Sequence, residues 1–187
     1  MRLLLSNDDG ILAPGLAALY SAVADMGEIT VVAPASPQSA AGHAITLGAP
    51  LTLGRVQVGP PEGPTFWGNS VDGRPADCVR LAVRRLLAQP PDLVLSGINA
   101  GANVGVNVFY SGTVAAAAEA AMLGIPAVAL SAASLRHGAD IDFPWATRLC
   151  RRIVDRLLAA GLRGGDLISV NLPLPGERSP RGVRVVP

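Results

Sequence analysis

The chain has 187 residues, half of them apolar and 16% charged, which excludes intrinsic disorder and is enough for one well-cored domain. Fifteen basic residues against fourteen acidic give a formal charge of +1 with no run of like charges, so nothing electrostatic calls for a nucleic acid or an anionic membrane as partner. All fifteen basic residues are Arg, which excludes a Lys Schiff base or a Lys phosphate clamp, and aromatics at 4% leave the core to Leu, Val, Ile and Ala.

Residues 2–6 (RLLLS) form a short apolar run ending in Asn-Asp-Asp-Gly, a buried strand running into a loop. Pro14 suits the first turn of a helix over residues 15–26, where Leu16, Leu19, Tyr20 and Val23 recur at helical spacing and Gly27 is the stop. Residues 28–33 (EITVVA) read as a second strand, closed by Pro34. Strand, helix, strand is the signature of a right-handed parallel crossover.

Residues 34–50 read as a loop carrying Ser36, Gln38, Ser39 and His43, and the Gly- and Pro-containing 50–70 segment as hairpin-like excursions. A helix is predicted over 74–88, with Val79, Leu81, Ala82, Val83, Leu86 and Leu87 on its apolar face. Residues 92–96 (DLVLS) are the next strand, opening into a glycine-rich loop over 97–112. An Ala-rich helix over 113–123 ends at Gly124 and Pro126, and strand 127–131 (AVALS) follows. An amphipathic helix over 144–160 and a strand over 167–171 (LISVN) complete the pattern. The alternation predicts an α/β fold, a three-layer αβα sandwich with a Rossmann-like, mostly parallel sheet, forming one domain over residues 1–187.

Cys78 and Cys150 belong to no CxxC or CxxH pair and read as buried free thiols. The apolar stretch 114–135 is broken by Glu119, Gly124 and Pro126, so it reads as helix, turn and strand rather than a membrane span, and the N-terminus fits no signal peptide. A soluble, cytoplasmic protein is expected.

In such sheets a ligand lies outside the carboxyl ends of the strands. The polar residues that follow predicted strands are Asn7, Asp8 and Asp9, then Ser39, then Asn99, Asn103, Asn107, Ser111 and Thr113. Adjacent carboxylates repel, and a hard divalent cation relieves that repulsion through oxygen ligands. The plainer alternative for a strand-end Asp is a helix cap or an Asx-turn. In SGINAGANVGVNVFYSGT the glycines allow tight turns, and Ser111 and Thr113 open a helix whose free N–H groups favour a phosphate. A flexible turn with Thr113 as an ordinary N-cap is the alternative there. The loop is neither a GxGxxG fingerprint nor a Lys-bearing P-loop, which disfavours an NAD-linked oxidoreductase.

Taken together, SNDDG, SPQSAAGHAITL, SGINAGANVG and YSGTVAAAAEAAMLGIPAVALS resemble the SurE family of survival proteins, over nearly the whole chain and in the family's order. The resemblance implies a metal-dependent 5′/3′-nucleotidase acting on nucleoside monophosphates. It implies that one divalent ion per subunit, Mg²⁺ or Mn²⁺, is held by Asp8, Asp9, Ser39 and Asn99. Asn103, Ser111, Gly112 and Thr113 correspond to the phosphate-binding part, and a homodimer or homotetramer is implied. Family chains commonly continue into a C-terminal extension, and this sequence stops at Pro187.

The mechanism expected is attack on phosphorus by a metal-activated water, with Asp8 and Asp9 at the centre. An Asp nucleophile is the other route, although phosphatases of the haloacid-dehalogenase type use Asp-x-Asp and not adjacent Asp. His43 reads either as a proton donor to the leaving oxygen or as an exposed loop histidine. His137 reads as a loop residue, Trp67 and Trp145 as packing residues, and Asp72 and Asp77 as turn and capping groups. A nucleotide- or phosphometabolite-binding module without turnover is the alternative function.

Overall fold

The computed structural model describes residues 1–59, 65–133, 141–173, 180 and 182–186. His137 lies outside the described residues. The strands are β1 (Arg2–Ser6), β2 (Glu28–Pro34), β3 (Leu53–Val58), β4 (Phe66–Val71), β5 (Leu93–Ala100), β6 (Ala127–Ala133) and β7 (Leu167–Pro173). They form one sheet in the order β3-β4-β2-β1-β5-β6-β7, and every neighbouring pair is parallel except the β3–β4 hairpin. The helices are α1 (Pro14–Val23), α2 (Pro75–Leu81), the short α3 (Asn107–Tyr110), α4 (Gly112–Met122) and α5 (Phe143–Ala160).

Alternation along each strand divides the core. In β1, Leu3 and Leu5 join the cluster that contains Leu16 and Leu19 of α1 and Val154 of α5. Leu4 joins the opposite cluster, with Val79 of α2 and Ala116 and Ala120 of α4. A strand covered on both faces must be apolar throughout, which is why RLLLS and DLVLS carry no polar/apolar alternation. The three layers are therefore α1 and α5, the sheet, and α2 with α4.

Two boundaries differ from the sequence reading. α1 stops at Val23, because the chain turns there, Met26 N–H donating to Val23 O at 2.9 Å, to enter β2. The helix expected over 74–88 is α2 followed by a wide π-type turn over Ala82–Leu86, closed by Leu87 N–H donating to Ala82 O at 2.9 Å. The extra residue in that turn rotates later side chains off the apolar face, so Leu86 is 37% exposed while Val79 and Ala82 are buried. The 50–70 excursion is the β3–β4 hairpin, added to the sheet edge beside β2.

Without the β3 edge strand, the order is β4-β2-β1-β5-β6-β7, the doubly wound arrangement. The chain builds outward from β1 in one direction and then resumes at β5 on the other side. The crevice at the carboxyl ends of β1 and β5 is thus the switch point where such sheets bind ligands.

Candidate metal centre

Asp8 and Asp9 follow β1 after Asn7, at that switch point. Asp8 is buried, and its carboxylate accepts a hydrogen bond from Thr113 Oγ1 at the start of α4. Gly112 makes that approach feasible: a Cβ at this position would lie 2.6 Å from Asp8 Cβ and 2.9 Å from Pro75 Cγ. The backbone N–H of Ala100, at the end of β5, lies near the Asp9 carboxylate and favours its ionised form. Burial first, and the neighbouring Asp8 charge second, push the Asp9 carboxyl above its ordinary pKa. Adjacent carboxylates, Asp8 buried and Asp9 half-buried, with no ion pair to either among the described residues, create a demand for a cation.

Asn99 sits on β5 past a bulge between Ser96 and Asn99. Gly97 has φ 139°, and a Cβ there would lie 2.3 Å from Leu130 O, so only glycine lets β5 pass β6 in this way. Asn99 Nδ2 donates to Gly101 O at 2.8 Å, which commits the nitrogen and leaves Oδ1 as the atom a cation would take. Part of the expected glycine-rich loop, residues 97–100, is therefore strand, because β6 pairs with it through Ser131 and Ala132. Ser39 lies in the exposed loop between β2 and β3, drawn to the end of β1 where Gln38 N–H donates to Asp8 O at 2.7 Å.

The four residues expected as ligands thus come from β1, the β2–β3 loop and β5. They offer two carboxylates, one amide oxygen and one hydroxyl, an all-oxygen set of the kind that hard divalent cations take with few carboxylates and added water. Among the described residues no group of three or more His, Cys, Asp or Glu is placed to hold a metal, so the soft, nitrogen- and sulfur-rich type of site has no counterpart there. Asn7 Oδ1, next to Asp8, is buried without a hydrogen-bond partner while its Nδ2 donates to Gly10 O at 2.9 Å. A further unsatisfied oxygen beside the acidic pair also fits a cation or its water shell.

On the phosphate side, Ser111 Oγ caps α4 by accepting from Val114 N at 3.1 Å. The N–H groups of Gly112 and Thr113, in the first turn, have no partner within the helix and lie next to Asp8. The Thr113 hydroxyl is committed to Asp8, so in this structure Thr113 orients a carboxylate. Asn103 braces the rim: its N–H donates to Asn171 Oδ1 at 2.8 Å and its Nδ2 to Ser131 Oγ at 2.9 Å.

A family model described as "Survival protein SurE" matches residues 3–187. The chain belongs to the SurE family. It is 47% identical over 186 residues to the 5′-nucleotidase SurE of Syntrophobacter fumaroxidans, covering 99% of this chain and 71% of that protein. To the 5′-nucleotidase SurE of Chlorobium chlorochromatii it is 43% identical over 182 residues, 97% of this chain and 64% of that one. The crystal structure of SurE protein from Aquifex aeolicus superposes with a TM-score of 0.80 at 40% identity, covering 94% of this chain and 67% of that chain. The chain spans roughly two thirds of the length of these SurE relatives, as the 71% and 64% coverages show. The family as a whole implies dependence on a divalent metal.

Several contacts around this SurE site were not legible in the sequence. Glu119, in the middle of the Ala-rich α4, is 4% exposed and meets His43 Nε2 at 3.0 Å and Arg80 Nη1 at 3.5 Å. The signal was there: a lone carboxylate in VAAAAEAAM has to be partnered once buried. Asp77 is a capping group as expected, accepting from Arg74 N at 2.9 Å, and it also holds Thr46 through Oγ1 at 2.6 Å. Trp67 is not core: it is 57% exposed on β4, with the Arg55 guanidinium 5.0 Å from its ring centroid. Cys78 and Cys150 are buried and free; burial pushes the Cys150 thiol up to about 12 and that of Cys78 higher still, so neither is a nucleophile at neutral pH. The surface cleft lined by Trp145, Leu149, Ile153 and Val183 contains none of the proposed ligands.

Proposed function

We propose that this chain is a 5′-nucleotidase that hydrolyses nucleoside monophosphates to nucleoside and phosphate, with a divalent ion, Mg²⁺ or Mn²⁺, held by Asp8, Asp9, Ser39 and Asn99. The observation that carries the reading is the pairing of two features at one switch point. Asp8, beside an Asp9 raised in pKa, packs against the first turn of α4, whose Gly112 and Thr113 N–H groups have no partner within the helix. One half of the site calls for a cation and the other for an anion, which suits a phosphomonoester lying between them. The names of the relatives supply the substrate class.

Bound there, the ion supplies charge neutralisation for the phosphoryl group and a water of lowered pKa. The chain supplies the rest. Thr113 Oγ1 fixes the Asp8 carboxylate, so it is oriented before substrate arrives, and the Ala100 N–H favours the ionised form of Asp9. Gly112 and Thr113 N–H groups, the Ser111 O–H and Asn103 face the phosphoryl oxygens and stabilise their charge. Two free buried thiols suit a reducing, cytoplasmic setting. The same reading takes the protein as a homodimer or homotetramer of single-domain subunits.

The test is phosphate release from AMP with Mg²⁺ or Mn²⁺, with EDTA as control, and with Asp8→Asn and Asp9→Asn beside the wild type. Release that needs metal and falls by about 100-fold or more in both folded variants supports the reading. AMP binding without release under either metal would make this a binding module instead.

A further inference from the structure

The segment that presents Ser39 has no regular structure of its own between the end of β2 at Pro34 and the start of β3 at Leu53. Ser39 itself is exposed, so its place must be set by neighbours in the loop. On one side Gln38 is fixed, by its N–H to Asp8 O at 2.7 Å and by Arg74 Nη1 donating to its Oε1 at 2.9 Å. On the other side Gly42 N–H donates to Tyr110 O at 3.0 Å, and His43 Nε2 lies 3.0 Å from Glu119 Oε2. The His43 contact differs in kind, because it joins the loop to a buried carboxylate of the packed helix α4.

We infer that His43, held by Glu119, is a positioning residue for the metal centre: it sets Ser39 against Asp8 and Asp9 by tying the Ser39 loop to α4. This rests on the nucleotidase reading for the identity of the ligands, but not for the contact itself. The reason α4 suits the task is that it already carries the other half of the centre. Thr113 in its first turn orients Asp8, and Glu119 lies six residues on, about 9 Å along the axis at 1.5 Å per residue. One rigid element therefore registers two ligand segments that are far apart in sequence. Glu119 is suited to hold a histidine because it is buried and anchored from a second side by Arg80 at 3.5 Å. The histidine that the sequence left between proton donor and exposed loop residue is an exposed loop residue whose ring nitrogen engages Glu119 of α4.

The test is Mn²⁺ binding to the chelator-stripped full chain, measured by titration without substrate, in the wild type, His43→Ala, His43→Gln and Glu119→Gln. Residues that orient metal ligands typically change affinity about 10- to 100-fold, and one acting at a further remove through the loop is expected to give about 3- to 10-fold weaker binding in His43→Ala. His43→Gln, whose Nε2 can still donate to Glu119, should recover most of that loss, and Glu119→Gln should weaken binding in the same direction. At saturating Mn²⁺ the kcat of His43→Ala on AMP should return to within about twofold of wild type, since the proposal places His43 outside the reacting atoms. His43 lies at an exposed position, so this variant is expected to fold even if Glu119→Gln does not. A folded His43→Ala chain with wild-type Mn²⁺ affinity overturns the inference, and so does a lowered melting temperature with unchanged affinity. A wild type that binds Mn²⁺ but releases no phosphate sinks the nucleotidase reading and leaves the His43 comparison readable; one that binds no Mn²⁺ sinks both.

Discussion

Asp9 shows what the centre costs the protein. Its carboxyl is raised above the ordinary value, by burial first and by Asp8 second. Between its unfolded and folded pKa values the folded chain holds the proton more tightly, so stability falls as pH rises through that window. Above the window the ionised, cation-free centre is a persistent penalty. Asp9→Asn removes the charge but keeps an oxygen beside the Ala100 N–H. Asp9 is only half-buried, so solvent screens part of this penalty, and the metal-free Asp9→Asn chain is expected to melt up to about 4 °C above the metal-free wild type at pH 7, a gain of at most about 1 kcal/mol. The difference should shrink as pH falls below the carboxylate range. Thermal denaturation in EDTA at several pH values checks this. A wild type that is the more stable at pH 7 would mean that the acidic pair is not strained, and the case for a cation there would lose its electrostatic support.

At the scale of elements, α4 has to reach Asp8 closely, and Gly112 is where it does so. An Ala there would gain up to about 0.5–1 kcal/mol from helix propensity, less at a helix start, but would place a methyl 2.6 Å from Asp8 Cβ. Overpacking of this kind costs about 1–3 kcal/mol, so the contact wins over the propensity. Gly112→Ala is expected to lose about 1–2 kcal/mol in urea and to lower kcat/KM by more than tenfold, because Asp8 has to move. Unchanged activity would show that the approach of α4 to Asp8 is not part of the site. What was legible in the sequence follows the same division. β1, β2, β6 and α5 could be read because burial on two faces, or on one helical stripe, leaves a periodic trace. The π-type turn after Leu81 could not, since one extra residue in a turn leaves no mark on composition. Residues 97–100 read as loop because glycines suggest it; only their pairing with β6 makes them strand. Asp8, Asp9, Ser39 and Asn99 could be named as candidates because strand ends and motifs are local. The pairing of His43 with Glu119 joins positions 76 residues apart and depends on how the helix packs.

For the whole molecule, the proposed ligands come from segments that only the finished sheet brings together: the end of β1, the loop after β2, and β5 beyond its bulge. The unfolded chain cannot hold Asp8, Asp9, Ser39 and Asn99 around one ion, so a cation binds the native state alone and stabilises it by mass action. At a free ion concentration one hundred times Kd the gain is about 2.7 kcal/mol. For a domain of this size each kcal/mol shifts the midpoint by about 2–4 °C. Mn²⁺ at that level should then raise the melting temperature by about 5–10 °C over the chain in EDTA. Sodium at matched ionic strength should give a much smaller shift, because screening acts weakly on the buried Asp8 and a monovalent ion matches the oxygen set poorly. In an Asp8→Asn, Asp9→Asn double variant the Mn²⁺ shift should vanish. The double variant separates a specific site from loose binding to the other carboxylates, which it leaves in place. An equal Mn²⁺ shift in wild type and double variant would move the ion elsewhere on the surface and leave the switch point without its cation.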